Sequence, residues 1–246
     1  MEDTTLIDSP EIIPSTPLQP PTLKISSLNL KDTKIISDIE DWVQELSDIN
    51  VDIAAIQGVT KTVQESLFRF FKSQGYTYTR FDSASANVTK TSVEYIFSKI
   101  PIVKREYKIF VGTKQQRGIS RCLVKAGHTT QTPVLVWVAT SQLEKDSPTL
   151  RKTQISEICS EFSFKDGAET IFCGDTQIPS WQQQSIREPD GWLDAWREKG
   201  CDKNEKTSLY DRMDRIWWKD GGSLKCEKFD LCCDRGGVVA TFGFDV

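Results

Sequence analysis

The chain has 246 residues, 31 basic and 35 acidic for a net charge of −4, with 38% hydrophobic and 27% charged residues. That composition excludes disorder throughout, and the length lets a single fold bury roughly 70–75% of its unfolded surface without a metal or disulfide staple. No apolar run approaches the roughly 18 residues of a membrane span, the chain opens on Glu2 and Asp3 rather than a basic then apolar leader, and seven cysteines with no CxxC pair read as reduced thiols rather than zinc ligands.

Residues 1–21 carry four acidic and no basic side chains and prolines at 10, 14, 17, 20 and 21, a composition that predicts a disordered tail. Within it residues 6–13 mix aliphatic and acidic side chains, as segments that add a strand to a partner's sheet do, or form plain tail. From 22 to 246 the pattern predicts one α/β domain. Leu23–Leu30 is strand-like, and Ile35, Ile36, Ile39, Trp42, Val43, Leu46 and Ile49 follow at helical spacing. Asp52–Gln57 is a buried-type strand, and Val63, Leu67, Phe70 and Phe71 mark a second helix. Tyr76–Phe81, Ser92–Ser98, Tyr107–Val111, Ile119–Lys125 and Pro133–Thr140 read as strands. Ser147-Pro148 starts a third helix with Ile155, Ile158, Cys159 and Phe162 inward. Thr170–Cys173 is a strand, Trp192–Arg197 a short helix, and Met213–Trp218, Leu224–Leu231 and Val238–Phe244 close the chain as strands. Two sheets with helices on their outer faces accommodate this order.

Five segments carry a resemblance: Ser27-Leu28-Asn29-Leu30, Val51–Val59, Val138–Glu144, Phe172–Gln177 and Met213–Trp218. In this order and spacing the chain resembles the endonuclease/exonuclease/phosphatase superfamily, closest to its 5′-tyrosyl-DNA phosphodiesterase branch. The resemblance implies a four-layer α/β sandwich of two mostly antiparallel sheets flanked by helices. It also implies metal-assisted phosphodiester hydrolysis. An Asn ending the first strand and a Glu following a Gln hold Mg²⁺, a cation that wants oxygen ligands. A His in a Ser-His-Leu segment and a final Ser-Asp-His stabilise the phosphoryl oxygens, and the Asp of a Gly-Asp-x-Asn loop orients the attacking water.

Against that pattern Asn29 and Asp175 are retained, as the metal-side Asn and the water-orienting Asp. The metal-binding Glu is replaced by Gly58, the His of Ser-His-Leu by Gln142, and the loop Asn by Gln177. Arg235, Gly236 and Gly237 stand where Ser-Asp-His belongs, the histidine position falling at Gly237. His128, the one histidine, lies in a Gly-flanked polar turn away from either role, as a solvated residue or a ligand contact. The expectation is that no metal or other cofactor binds. Glu94 and Glu144 are carboxylates that could replace the lost one, Glu144 being also the acid of the Ser-x-Leu-Glu segment.

Residues 99–125 hold eight basic side chains against Glu106 alone. They read either as solvated strand faces or as a phosphate-facing patch through Lys114, Arg117 and Arg121, with Trp181 offering a ring to a base or partner. Three functional readings follow: a degenerate phosphodiesterase that binds a protein or a nucleic-acid end, a divergent phosphodiesterase with a rebuilt metal site, or a structural interaction domain acting through its tail. The expected setting is intracellular, nuclear or cytoplasmic, with no membrane partner.

Overall fold

Strands whose two faces are both buried alternate here with helices that bury one stripe. The computed structural model describes residues 22–30, 36–79, 93–113, 117–126, 134–161, 167–179, 182, 188–199, 213–233 and 236–245. The elements are β1 (Thr22–Asn29), α1 (Ile36–Asp48), β2 (Ile53–Val59), α2 (Lys61–Ser73), β3 (Thr77–Tyr78), β4 (Val93–Ser98), β5 (Ile102–Ile109), β6 (Gly118–Ala126), β7 (Val134–Thr140), α3 (Pro148–Glu161), β8 (Glu169–Asp175), β9 (Trp192–Asp194), α4 (Ala195–Glu198), β10 (Asp214–Lys219), β11 (Leu224–Cys232) and β12 (Gly237–Phe244).

Six strands form one sheet in the order β11-β12-β1-β2-β4-β3, and six form the other in the order β5-β6-β7-β8-β10-β9. Each sheet holds one parallel pair, β1 with β2 and β7 with β8, and its other pairs are antiparallel. A parallel pair needs a crossover, and α1 and α3 supply the two. The helices bury single stripes: Ile39, Val43 and Leu46 on α1, Val63, Leu67 and Phe71 on α2. Both pack on the outside of the first sheet with Leu28, Ile56 and Phe97. Ile155 and Ile158 of α3 pack on the outside of the second sheet with Phe172 and Trp217. Between the sheets lies a third cluster that includes Ile25, Ile53, Ile96, Val124, Val138, Ile171, Ile216 and Phe242. The layers are therefore α/β/β/α, as the resemblance implies.

Three local expectations are adjusted. The strand expected at Tyr107–Val111 begins at Ile102 and ends at Ile109. Its charged first half conceals it, and that half lies on the sheet's outermost strand, where charge is tolerated and discourages edge-to-edge association. The short helix expected over Trp192–Arg197 divides into β9 and a four-residue α4, because the Asp194 side chain accepts from the Trp196 backbone N–H and starts the helix there. The strand expected over Tyr76–Phe81 covers Thr77–Tyr78, residues 80 and 81 lying outside the described residues. The tail 1–21, with its candidate partner segment 6–13, also lies outside them.

Candidate functional site

The space between the sheets is apolar along most of its length and polar at one end. On β1 the inward residues Leu23 and Ile25 belong to the central cluster, and Ser27 and Asn29 continue the same alternation. On β2, Ile53 and Ala55 give way to Gln57. On β7, Val136 and Val138 give way to Thr140, and on β8, Ile171 and Cys173 give way to Asp175. Three antiparallel neighbours start at this end, so their inward polar residues come first: Glu94 before Ile96, Ser120 before Cys122, Asp214 before Ile216. All of these polar residues are buried. The polar end thus lies at the carboxyl ends of both parallel pairs, the position at which open α/β sheets place ligands.

At its centre stands Asp175, fully buried, whose carboxylate is clamped by amides. The side-chain amides of Asn29 and Gln177 both donate to Oδ2, and the Gln177 backbone N–H donates to Oδ1 at 2.9 Å. A carboxylate has no hydrogen to offer, so each amide must turn its NH₂ toward it. The loop that carries the carboxylate is itself fixed. Asp175 N donates to Ser141 O at 3.1 Å, Leu143 N donates to Asp175 O at 2.9 Å, and the Thr176 backbone and hydroxyl both donate to Met213 O at 2.9 Å. Strand β8 approaches Ser141 so closely that a Cβ on Gly174 would stand 2.3 Å from the Ser141 carbonyl oxygen. Gln177 turns back on the carboxylate with φ of +51°, a region few side-chain-bearing residues occupy.

Gln57 spans the two sheets. Its NH₂ lies 3.1 Å from Ser27 Oγ, 3.1 Å from Ala55 O and 2.8 Å from Thr140 Oγ1, while its Oε1 is buried with no hydrogen-bond partner among the described residues. Ile56 pairs with Tyr95 and Val59 with Val93, so Gln57 and Gly58 together face the single residue Glu94 across a β-bulge. Gly58 takes φ of +70° there. Any residue with a side chain would sit in that left-handed conformation at about 1–2 kcal/mol of strain.

The structure brings five of the six motif positions together. Asn29, Asp175 and Gln177 form the clamp, and Gly58 follows the spanning Gln57. Gln142 reaches the same end through a parallel bridge to Asp175. Gly237 does not face it. It pairs with Leu28, and a Cβ there would meet the Cys232 sulfur at 3.1 Å and Leu28 Cδ1 at 3.3 Å, on the helix side of the sheet.

The Glu144 backbone is fixed by α3. Its N–H donates to Gln154 Oε1 at 2.9 Å and its carbonyl accepts from the buried Arg151 guanidinium at 2.7 Å. Arg117 donates to the carbonyls of Gln142 and Leu143 at 3.0 and 2.7 Å, and so holds the loop that carries Gln142. Arg121 pairs with Glu106 and Glu161 on the outer face of the second sheet, away from the polar end. Lys114, Trp181 and His128 lie outside the described residues. Ser27, Thr140 and Asp214 belong to the site; their segments carry the resemblance, but none of the three is singled out there as a site residue, although each continues the two-residue alternation of an identified strand.

Of the residues that the resemblance assigns to Mg²⁺, a cation that wants oxygen ligands, the Glu position is Gly58, which supplies none, and the Asn29 NH₂ faces the Asp175 carboxylate; the buried Glu94 is the carboxylate next to that position.

No protein-family model matches the chain, and no curated protein sequence matches it. Solved structures do. D. rerio TDP2 complexed with single strand DNA product superposes with a TM-score of 0.72 at 19% identity, over 90% of this chain and 99% of that one. Truncated Caenorhabditis elegans TDP2 gives 0.70 at 18% identity, over 90% and 97%. An endonuclease/exonuclease/phosphatase family protein from Bacteroides thetaiotaomicron gives 0.70 at 14% identity, over 93% and 100%. With two mixed six-stranded sheets between helical layers and its buried polar residues at the carboxyl ends of both parallel pairs, the chain has the endonuclease/exonuclease/phosphatase fold, shared with TDP2.

Proposed function

We propose that the chain is a degenerate phosphodiesterase that binds a single-stranded nucleic-acid end without hydrolysing it. The observation that carries this reading is the clamp: the one carboxylate retained at the water-orienting position has both oxygens occupied by amide donors. Water activation on this fold needs a cation to lower the water's pKa and to neutralise phosphoryl oxygens. Here the position of the expected metal-binding carboxylate is a left-handed glycine. Gln142 can donate a hydrogen bond but cannot carry the charge of an imidazolium. Support for nucleic acid as the ligand comes from the fold, which this chain shares with a TDP2 complexed with single strand DNA product.

One observation favours a rival reading, an enzyme with a rebuilt metal site: the buried Glu94 is the cross-strand neighbour of Gln57 and Gly58. The same experiment decides between them. The full chain is incubated with a 5′-phosphotyrosyl oligonucleotide and Mg²⁺ or Mn²⁺, and its affinity for a 5′-phosphorylated single strand is measured in parallel. The expected result is salt-sensitive binding with no metal-dependent release of phosphate end. Robust cleavage abolished by Asp175→Ala or Glu94→Gln overturns the proposal in favour of the rival.

A further inference from the structure

The basic residues of 99–125 that the structure describes do not form one surface. Lys99 lies over the Tyr76 ring, 4.9 Å from its centroid. Lys104 and Arg121 pair with Glu106, and Lys108 and Arg121 with Glu161, on the face of the second sheet that carries α3; Lys104 and Arg121 also flank the Trp137 ring there. The Arg117 guanidinium is bound to the carbonyls of Gln142 and Leu143.

Successive residues of a strand face opposite ways, so Arg105, Tyr107 and Ile109 share the other face of β5. Two observations agree: Arg105 pairs directly with the inward-facing Cys122 across β5 and β6, and the Tyr107 ring covers Gly118, where a Cβ would stand 2.8 Å from the ring's Cζ and hydroxyl. Arg105 is exposed and makes no ion pair among the described residues. Of the four large apolar side chains exposed among the described residues, three fall in this one stretch: Val103, Ile109 at 44% and Val111 at 71%. Its strand is the outermost of the sheet, paired among the described residues with β6 alone. Because Tyr107 pairs with Ser120 and Ser120 with Thr140, the upper part of the stripe stands level with the polar end.

Resting on the function proposed above, we infer that Arg105, Tyr107 and Ile109 form the track along which a single-stranded nucleic acid leaves the polar end. Arg105 takes a backbone phosphate, and Tyr107 and Ile109 present apolar surface to unpaired bases. A duplex turns its phosphates outward and keeps its base faces stacked, so only a single strand can use a cation and an apolar stripe together. From 105 to 109 the track is roughly 13 Å long at strand spacing, room for about two nucleotides.

The test is fluorescence anisotropy of the full chain with a labelled oligothymidine of about fifteen nucleotides and with a duplex of the same length. Circular dichroism and melting confirm that each variant folds. Arg105→Glu is expected to weaken single-strand binding about tenfold or more and to reduce the salt slope by about one. Ile109→Asp is expected to weaken it by about fivefold or more, whereas Lys104→Glu with Lys108→Glu, on the opposite face, changes it less than about threefold.

If the unaltered chain binds but Arg105→Glu and Ile109→Asp leave affinity unchanged, or if the Lys104/Lys108 variant loses as much, the track is overturned and nucleic-acid binding stands. Equal affinity for the duplex also overturns the track. If the chain binds neither strand nor duplex, the proposed function falls with it.

Discussion

Replacing Asp175 by alanine separates a structural carboxylate from a catalytic one. Two effects oppose each other. Asp175 accepts three amide hydrogen bonds in a fully buried position, and bonds to a charged group contribute about 1.5–3 kcal/mol each, or about 4.5–9 kcal/mol together. Against this, Asp175 is directly paired with Asp214 across β8 and β10, both facing inward. Two like charges about 5 Å apart at an effective dielectric of about 20 repel by roughly 3 kcal/mol, and truncation relieves that repulsion. The clamp wins by about 1.5–6 kcal/mol, less what is recovered from the buried charge's own desolvation. In a domain of this size the melting temperature of Asp175→Ala should therefore fall by about 3 °C or more. The assay is urea and thermal unfolding in the presence of a chelator, so that no adventitious metal supports either protein. A catalytic carboxylate held unclamped among other acids gives the opposite sign, because removing it relieves repulsion at no loss of bonds. Unchanged or increased stability of Asp175→Ala would refute the reasoning.

Other expectations follow from single contacts. Arg215 and Asp194 form a buried ion pair at 2.9 Å with side chains 4% and 1% exposed, so Arg215→Ala, which strands the buried carboxylate, should cost about 3–5 kcal/mol in urea unfolding. Gly174→Ala would drive a Cβ to 2.3 Å from the Ser141 carbonyl oxygen; neither backbone segment can yield, and the variant should lose more than about 3 kcal/mol or fail to accumulate as soluble protein. Chelation should move the melting temperature by less than about 1 °C, since a group that is not bound adds no binding energy to the folded state; a drop of several degrees that Mn²⁺ reverses would contradict this. Burial pushes the Cys122 thiol up to about 12, against the opposing pull of Arg105. It should therefore resist iodoacetamide at about pH 8 in the native protein and react after unfolding, as mass spectrometry of the labelled peptide would show.

The fold was legible because its signals are local. Leu23, Ile25 and Ser27 alternate, Ile39, Val43 and Leu46 recur at helical spacing, and each pattern names its element without its neighbours. The site was half legible for the same reason. Asn29, Gln57 and Asp175 end identified strands, so their motifs locate the carboxyl ends that meet. What the sequence could not carry is pairing between distant residues. That Asn29 and Gln177 converge on one carboxylate, 146 positions from Asn29, depends on how two sheets stack. The left-handed φ of Gly58 depends on the register of β2 against β4. Grouping Arg117 and Arg121 with the other basic residues near them treated charge as a property of sequence proximity. Strand alternation sends Arg121 to the α3 face, and its acids come from β5 and from the end of α3, as far as Glu161.

The strand order also governs when the protein can finish folding. Strand β1 leaves the ribosome before every other strand of its sheet, but it is flanked by β2 on one side and by β12 on the other, Leu23 pairing with Phe242. At about 5–20 residues per second, the roughly 220 residues between those partners take about 10–45 s to emerge. Throughout that interval β1 shows an unsatisfied edge and the inward faces of Leu23 and Ile25, the pattern that recruits strands from other chains. A ribosome stalled before β11 and β12 would release a chain whose first sheet has an open flank. Production of this protein should accordingly depend on holdase capacity more than on the stability of the finished domain.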